Sequence, residues 1–317
     1  MKRFLLTTTL LLASACSVGQ EQRAVDQQTA ENAGPTFLGE LDFSVLPEAS
    51  GMAVSYYDSN RIWFINDQGN SASLIAVSTT DMQHDVLKVK GVKNRDWEEL
   101  AGFELDGQPW LLIADVGDNK AVRDEVRLIF VKEPKSPSDG DKLESMSITM
   151  TYPDGPRDVE AIAVDASRDA IFILSKRTKP PILYSLGLKE AMMQARSGTK
   201  TSVRPMRLGD VLTIPAPTEL ELKLFPKYGI YRNQPTSMDL SRDGQTIALM
   251  TYGETYLIKL APGQSWMEAF AGELRPIGMP ILPQPETVAF GPDGNLFIST
   301  ERERAPLYRF SPGDAKP

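Results

Sequence analysis

The sequence predicts an all-β chain folded as a β-propeller: five recognisable four-stranded blades, with room for a sixth, closed by an N-terminal strand. Three observations predict it. A polar-to-apolar motif recurs five times, strand-like runs bounded by turns follow each copy, and the last copy runs out of chain one strand short.

Each copy of the motif is an acidic or amide residue, one spacer, then Ser, Thr or Glu, then a small apolar strand. The copies begin Glu48-Ala49-Ser50, Asp96-Trp97-Glu98, Asp158-Val159-Glu160, Gln234-Pro235-Thr236 and Gln284-Pro285-Glu286. A second strand follows in each, over Ile62 to Ile65, Trp110 to Ala114, Ala170 to Ser175, Thr246 to Thr251 and Leu296 to Thr300. Third strands are expected over Ser73 to Val77, Val126 to Val131, Ile182 to Leu186, Thr255 to Leu260 and Pro306 to Phe310. Fourth strands are expected over Asp85 to Val92, Met146 to Tyr152, Val203 to Ile214 and Phe270 to Ile277. Short strands with turn signals fit a sandwich, a barrel or a propeller; self-similarity at roughly 50 to 75 residues, four strands to a unit, selects the propeller. Thr36 to Phe43 supplies the strand the last unit lacks. The step from Asp158 to Gln234 is the longest. It carries an expected helix, Lys189 to Arg196, and is where a sixth blade would fit.

The first fifteen residues read as a leader: Lys2 and Arg3, an apolar stretch from Phe4 to Leu12, then Ala13-Ser14-Ala15 before Cys16. Small residues before a cysteine resemble a lipobox, with Cys16 acylated as the mature N-terminus and the membrane reached through that lipid. The other reading is ordinary cleavage after Ala15 and release of a soluble protein. Ser17 after the cysteine resembles lipoproteins sent to an outer membrane. The expectation is therefore an exported lipoprotein, on the periplasmic side or the cell surface. Residues 16–35, rich in Gln, Glu and Ala, read as a flexible tether, and 36–317 as the propeller domain.

The chain is acidic, with a formal charge of −8, and more so once Lys2 and Arg3 leave with the leader. That excludes nucleic acid as a partner, because phosphate backbones are held by Lys and Arg. Cys16 is the one cysteine, so no internal disulfide supports the fold.

A second column of residues ends the second strands at nearly constant spacing from the motif: Asp67, Asp115, Lys176, Tyr252 and Glu301. The first two strands of a blade form an antiparallel hairpin, which sets the end of one beside the start of the other. Both columns should therefore meet at one mouth of the central channel. That mouth would collect Glu48, Asp96, Glu98, Asp158, Glu160, Glu286, Asp67, Asp115 and Glu301 around Lys176.

So many carboxylates repel one another, and burial raises that cost. They can be structural, capping strands and pairing with arginines; they can hold a metal; or they can form an acid–base set. Oxygen donors without imidazole suit Ca²⁺, and the candidate ligands are Glu48, Asp96, Glu98, Glu160 and Glu286.

The run Asp96-Trp97-Glu98-Glu99-Leu100-Ala101, with Ala114-Asp115-Val116-Gly117-Asp118-Asn119, Arg123 and Glu133-Pro134, resembles a family of secreted bacterial propellers labelled phytase-like, or "esterase-like activity of phytase". Tyr152-Pro153-Asp154-Gly155, Ser175-Lys176, Thr251-Tyr252 and Thr300-Glu301 extend the resemblance over Glu48 to Phe310. It implies a propeller and an exported location. Many relatives carry Arg before the Thr-Tyr pair, where this chain has Met250, which removes a phosphate ligand.

Two functions compete. One is a binding or scaffold module of the envelope, with an undefined small-molecule or envelope ligand met by the acidic loops and by aromatics such as Trp63, Trp97, Trp110 and Tyr252. The other is a Ca²⁺-dependent hydrolase of phosphate or other esters. In it Lys176, Arg123 and Arg302 hold the substrate anion, Asp115 orients water, and Asp115 and Lys176 are the catalytic candidates. Ser–His and Cys–His catalysis is not expected, since His84 lies in the outer part of the first blade and Cys16 is read as the anchor.

Overall fold

The inner strands of the five motif copies, Ala49–Val54, Trp97–Leu105, Val159–Asp165, Pro235–Leu240 and Pro285–Phe290, each start a separate antiparallel sheet. In the computed structural model, which describes residues 34–198, 201–278 and 282–312, these sheets are the five blades of a closed propeller. The chain divides into Met1–Gly34 and Pro35–Pro317; the propeller is the second unit. The leader, Cys16 and nearly all of the tether lie outside the described residues.

Ring closure is as the sequence predicts. Thr36–Glu40 pairs with Pro306–Phe310 and completes the fifth blade with the chain's first strand. Lys142–Leu143, from the connection inside the second blade, adds in parallel to the outer strand His84–Val89 of the first. Among the described residues, the long step between the third and fourth inner strands holds no sixth blade. It carries helix Leu188–Ser197, a capped short helix Glu219–Leu224 and a 3₁₀ turn Gly229–Tyr231. The fourth blade also departs from expectation. Phe270 ends a helix, Trp266–Phe270, and the outer strand is only Arg275–Pro276. A capping box of Ser265 and Glu268 starts that helix, and Trp266 stacks on Phe172 with ring centroids 3.9 Å apart.

Inner and second strands are buried on both faces, and alternation along them serves two neighbours. Met52, Val54, Ile62 and Phe64 pack towards the fifth blade, whereas Ala53, Trp63 and Ile65 pack towards the second. The same rule gives one apolar cluster in every gap between adjacent blades, the last-to-first gap included. Near the axis the strands come very close: a Cβ on Gly51 would stand 2.7 Å from the carbonyl carbon of Glu99 in the next blade. Only glycine fits there.

Candidate functional site: an acidic mouth built from five bulges

Every inner strand carries a bulge at the same place. The pairing registers skip between Ala49 and Gly51, Trp97 and Glu99, Val159 and Ala161, Pro235 and Ser237, and Pro285 and Thr287. The skipped residues are Ser50, Glu98, Glu160, Thr236 and Glu286, the third residue of each motif. A bulge turns an extra residue out of the ladder and re-aims its side chain. Here it does so five times around one axis, and three of the five side chains are carboxylates.

These carboxylates are buried together with residues from the motif starts and the second-strand ends. Oxygens of Asp67, Asp96 and Glu98 can all come within 4.8 Å of one another, and so can those of Glu98, Asp158 and Glu160. Glu98 belongs to both groups. Asp96 Oδ1 is buried without a hydrogen-bond donor, and Asp96 is only 8% exposed. Gly117 leaves the space for this pair, since a Cβ on it would stand 2.5 Å from Asp96 Cγ and also strike the Glu98 carboxylate.

The surrounding loop is tightly bound. Asp158 accepts from Asp118 N at 2.8 Å and from Arg177 Nε at 2.5 Å. Asp118 accepts from the backbone N–H groups of Val122 at 2.9 Å and Arg123 at 2.7 Å. Arg123 returns to Gly117 O at 2.7 Å and pairs with Asp115 at 2.8 Å. Lys176, whose backbone N–H donates to Asp158 O at 3.0 Å, pairs with Glu160 and donates to Tyr252 Oη at 2.8 Å.

Electrostatics follow from this crowding. Burial, then the charges of Glu160 and Asp67, push Glu98 well above the usual carboxylate range. Burial raises Glu160 to about 7 even though Lys176 pulls it down. Asp96 is pushed up to about 7 by burial and by Asp67. Burial and Glu160 likewise raise Glu286. Burial works against the charge on Lys176, but Glu160 and Glu286 outweigh it and hold the ammonium well above its ordinary value. The mouth is an over-supply of carboxylates around one lysine, some of them protonated near neutral pH for want of positive charge.

Among the expected ligands, Asp96, Glu98 and Glu160 come together, joined by Asp67 and Asp158. Glu48 does not join either group: it is exposed and accepts from Asn70 Nδ2 at 2.8 Å. Glu286 also stands outside both, facing Lys176 and Tyr252. Asp115 is one register position out. It pairs with Trp97 across the hairpin, as Asn66 pairs with Ala49 and Ser175 with Val159, so the second blade's column position is Val116. Its carboxylate is buried on Arg123 rather than presented to a water at the mouth, and Arg123 is in turn held by that loop. Arg302 is exposed, and its Nε donates to the backbone oxygen of Glu303 at 3.4 Å. His84 lies on the outer strand of the first blade. Trp63, Trp97 and Trp110 are core residues, so of the aromatics considered only Tyr252 reaches the site.

Two features have no signal in the sequence. Glu99, adjacent to Glu98, is fully buried and accepts from Ser237 Oγ at 2.7 Å and Met238 N at 3.0 Å. Because the second and fourth blades are not neighbours, this contact spans the channel. A cavity of about 590 Å³ also opens beside the mouth, lined by Phe225, Tyr228, Tyr231, Tyr252, Gln234 and Gln284 among others. Its aromatic wall comes from the insertion after the third blade, whose role only the folded chain reveals.

No protein-family model matches the chain, and no curated protein matches it. Among solved structures it is similar to a luciferin-regenerating enzyme, with 11% identity over 88% of this chain and 95% of that one and a TM-score of 0.45. A structural-genomics protein of unknown function from Bacteroides thetaiotaomicron gives 8% identity, 87% and 75% coverage and a TM-score of 0.46. Hydrazine synthase from Kuenenia stuttgartiensis gives 11% identity, 84% and 96% coverage and a TM-score of 0.45.

Proposed function

We propose that this chain is an exported, lipid-anchored binding module whose acidic mouth holds a divalent cation, Ca²⁺, and whose ligand docks over that cation. The observation that carries the reading is the Asp96 carboxylate, buried against Asp67 and Glu98 with Oδ1 lacking any donor. A buried anionic oxygen without a partner costs several kcal/mol, about 1–3 for the hydrogen bond alone. A cation with a preference for many oxygen ligands removes that cost. Asp67, Asp96, Glu98, Asp158 and Glu160 are the residues that would hold it; bound there, Ca²⁺ would supply a positive centre for a ligand's oxygens. The aromatic cavity beside Tyr252 gives a ligand apolar surface within reach of that centre.

A second reading is hydrolysis of an ester, the activity in the label of the phytase-like propellers that the chain resembles. Asp96 and Glu160, pushed up to about 7, favour it, because a group poised near neutrality can both take and give a proton. Lys176 then neutralises Glu160 and keeps Tyr252 oriented, and the cation would polarise the substrate.

The test is the melting temperature of residues 35–317 in Ca²⁺ and in EDTA, for the wild type and for Glu98→Gln. A Ca²⁺-dependent rise that Glu98→Gln abolishes supports the cation site; no rise in the wild type overturns it. Turnover of a generic phosphate ester, lost in EDTA, would move the conclusion from binding module to hydrolase.

A further inference from the structure

A second cavity of about 590 Å³ lies on the second blade, where the chain arrives from the first. It is lined by the connecting segment Gly91 to Arg95, by Asp115, Arg123, Glu125 and Arg127, and by Thr149 of that blade's outer strand. Asn94 fixes the connection. Its Nδ2 donates to Asn66 O and Asp67 O, both at 2.8 Å, and its Oδ1 accepts from Trp97 N at 3.1 Å. Lys93 and Arg95, on either side of it, are thereby held at the cavity.

The charge there runs against that of the chain, which is −8 overall. Four cations line the cavity: Lys93, Arg95, Arg123 and Arg127. The acids lining it are Asp115, already paired with Arg123 at 2.8 Å, and the exposed Glu125, which takes a hydrogen bond from Ser202. Among the described residues, Lys93, Arg95 and Arg127 form no ion pair, whereas cations such as Arg157, Arg168, Arg207 and Arg309 all pair with nearby acids. Arg123 is nine-tenths buried, and its Nε–H is buried without an acceptor. Clustered cations repel one another and are retained without partners at a cost, and an orphaned guanidinium N–H adds to it.

We propose that this cavity is an anion site for a phosphate monoester group, distinct from the acidic mouth and independent of any cation there. A doubly charged tetrahedral oxyanion matches three unpaired cations better than a carboxylate does. Two guanidinium forks, from Arg95 and Arg127, can each engage two of its oxygens, with Lys93 as a third point charge. Thr149, which also lines the cavity, offers a hydroxyl.

The experiment is calorimetric titration of the purified chain with inorganic phosphate in EDTA, so that no divalent cation can contribute. The wild type is compared with the double variant Arg95→Gln/Arg127→Gln, whose melting temperature is measured alongside. Saturable binding is expected in the wild type, and the double variant should lose about tenfold or more in affinity with its melting unchanged, the loss of charge-assisted contacts. Absence of phosphate binding in EDTA overturns the proposal, as does equal affinity in the double variant. Binding that appears only when Ca²⁺ is added also overturns it, because the anion would then sit on the cation of the mouth. If the double variant melts lower, Lys93→Gln, on the exposed connection, decides in its place by the same criterion.

Discussion

Gly117 lies against Asp96 so closely that a methyl group on its Cα would stand 2.5 Å from Asp96 Cγ. The glycine is there for space, and it lets the second blade's loop fold over two carboxylates. Gly117→Ala must displace Asp96 and Glu98 or lift the loop that Arg123 and Asp118 hold down. The expected cost is about 1–3 kcal/mol, as for overpacking elsewhere, together with a weaker response of the melting temperature to Ca²⁺. Chemical denaturation with and without Ca²⁺ checks both. A Gly117→Ala variant indistinguishable from the wild type would mean that the loop is loose and the mouth less organised than described.

Glu99 and Ser237 make the other decisive contact, across the channel from the second blade to the fourth. Glu99→Ala leaves Ser237 Oγ and Met238 N without their acceptor and opens a hole on the axis. A loss of about 3 kcal/mol is expected in urea unfolding. Glu99→Gln keeps one oxygen for both donors but sets an amide N–H₂ against Leu100 N, which now donates to Glu99 at 3.0 Å. It should cost about 1 kcal/mol, one hydrogen bond. Equal losses for the two variants would show that the axis is held by packing and not by this carboxylate.

The sequence made the ring legible because each blade begins with the same short signal and the last blade visibly lacks a strand. It also named Asp96, Glu98 and Glu160, since those positions follow from the motif alone. The register of the second column was less legible. Spacing along the chain is the sum of two strand lengths and a turn, and the second blade's hairpin, Trp97–Leu105 with Gln108–Asp115, is longer than its counterparts. A spacing that marks Asp67 in the first blade therefore stops one residue short in the second, at Asp115 and not Val116. The bulges leave no mark at all, because a skipped residue is defined by its partner strand. The phosphate cavity is equally silent: Lys93 and Arg95 come from one connection and Arg127 from a strand further along, and only folding sets them together.

Lys176 is the internal counter-ion of the mouth, paired with Glu160 and bonded to Tyr252. Lys176→Met removes that charge from among Glu160, Glu286 and Glu98 at nearly constant volume. In EDTA the variant should lose about 3–5 kcal/mol, the usual consequence of breaking a buried pair from one side. In Ca²⁺ it should regain much of that and bind the ion more tightly than the wild type, since the lysine competes with the ion for the same carboxylates. Titration followed by tryptophan fluorescence measures the affinity. Weaker Ca²⁺ binding by Lys176→Met would mean that the lysine orients the ligands instead of competing with the ion.

Asp96 and Glu160, both pushed up to about 7 in the folded protein, set the pH behaviour. In the unfolded chain these groups titrate near 4, so between pH 4 and 7 the folded state binds more protons than the unfolded one. Stability then falls as pH rises through that window. Their share of the stability is fully present below pH 4 and gone above about pH 7. A divalent cation reverses the balance, because it binds the ionised carboxylates and expels the protons they carried. Metal-free protein should thus lose stability from pH 4 towards 7, while the apparent Ca²⁺ affinity climbs from pH 5 to 8. Calorimetry at pH 6 in two buffers of different ionisation enthalpy should register proton release on Ca²⁺ binding. Affinity that stays flat with pH, with no proton release, would mean that the ion is held somewhere other than the buried set around Glu98.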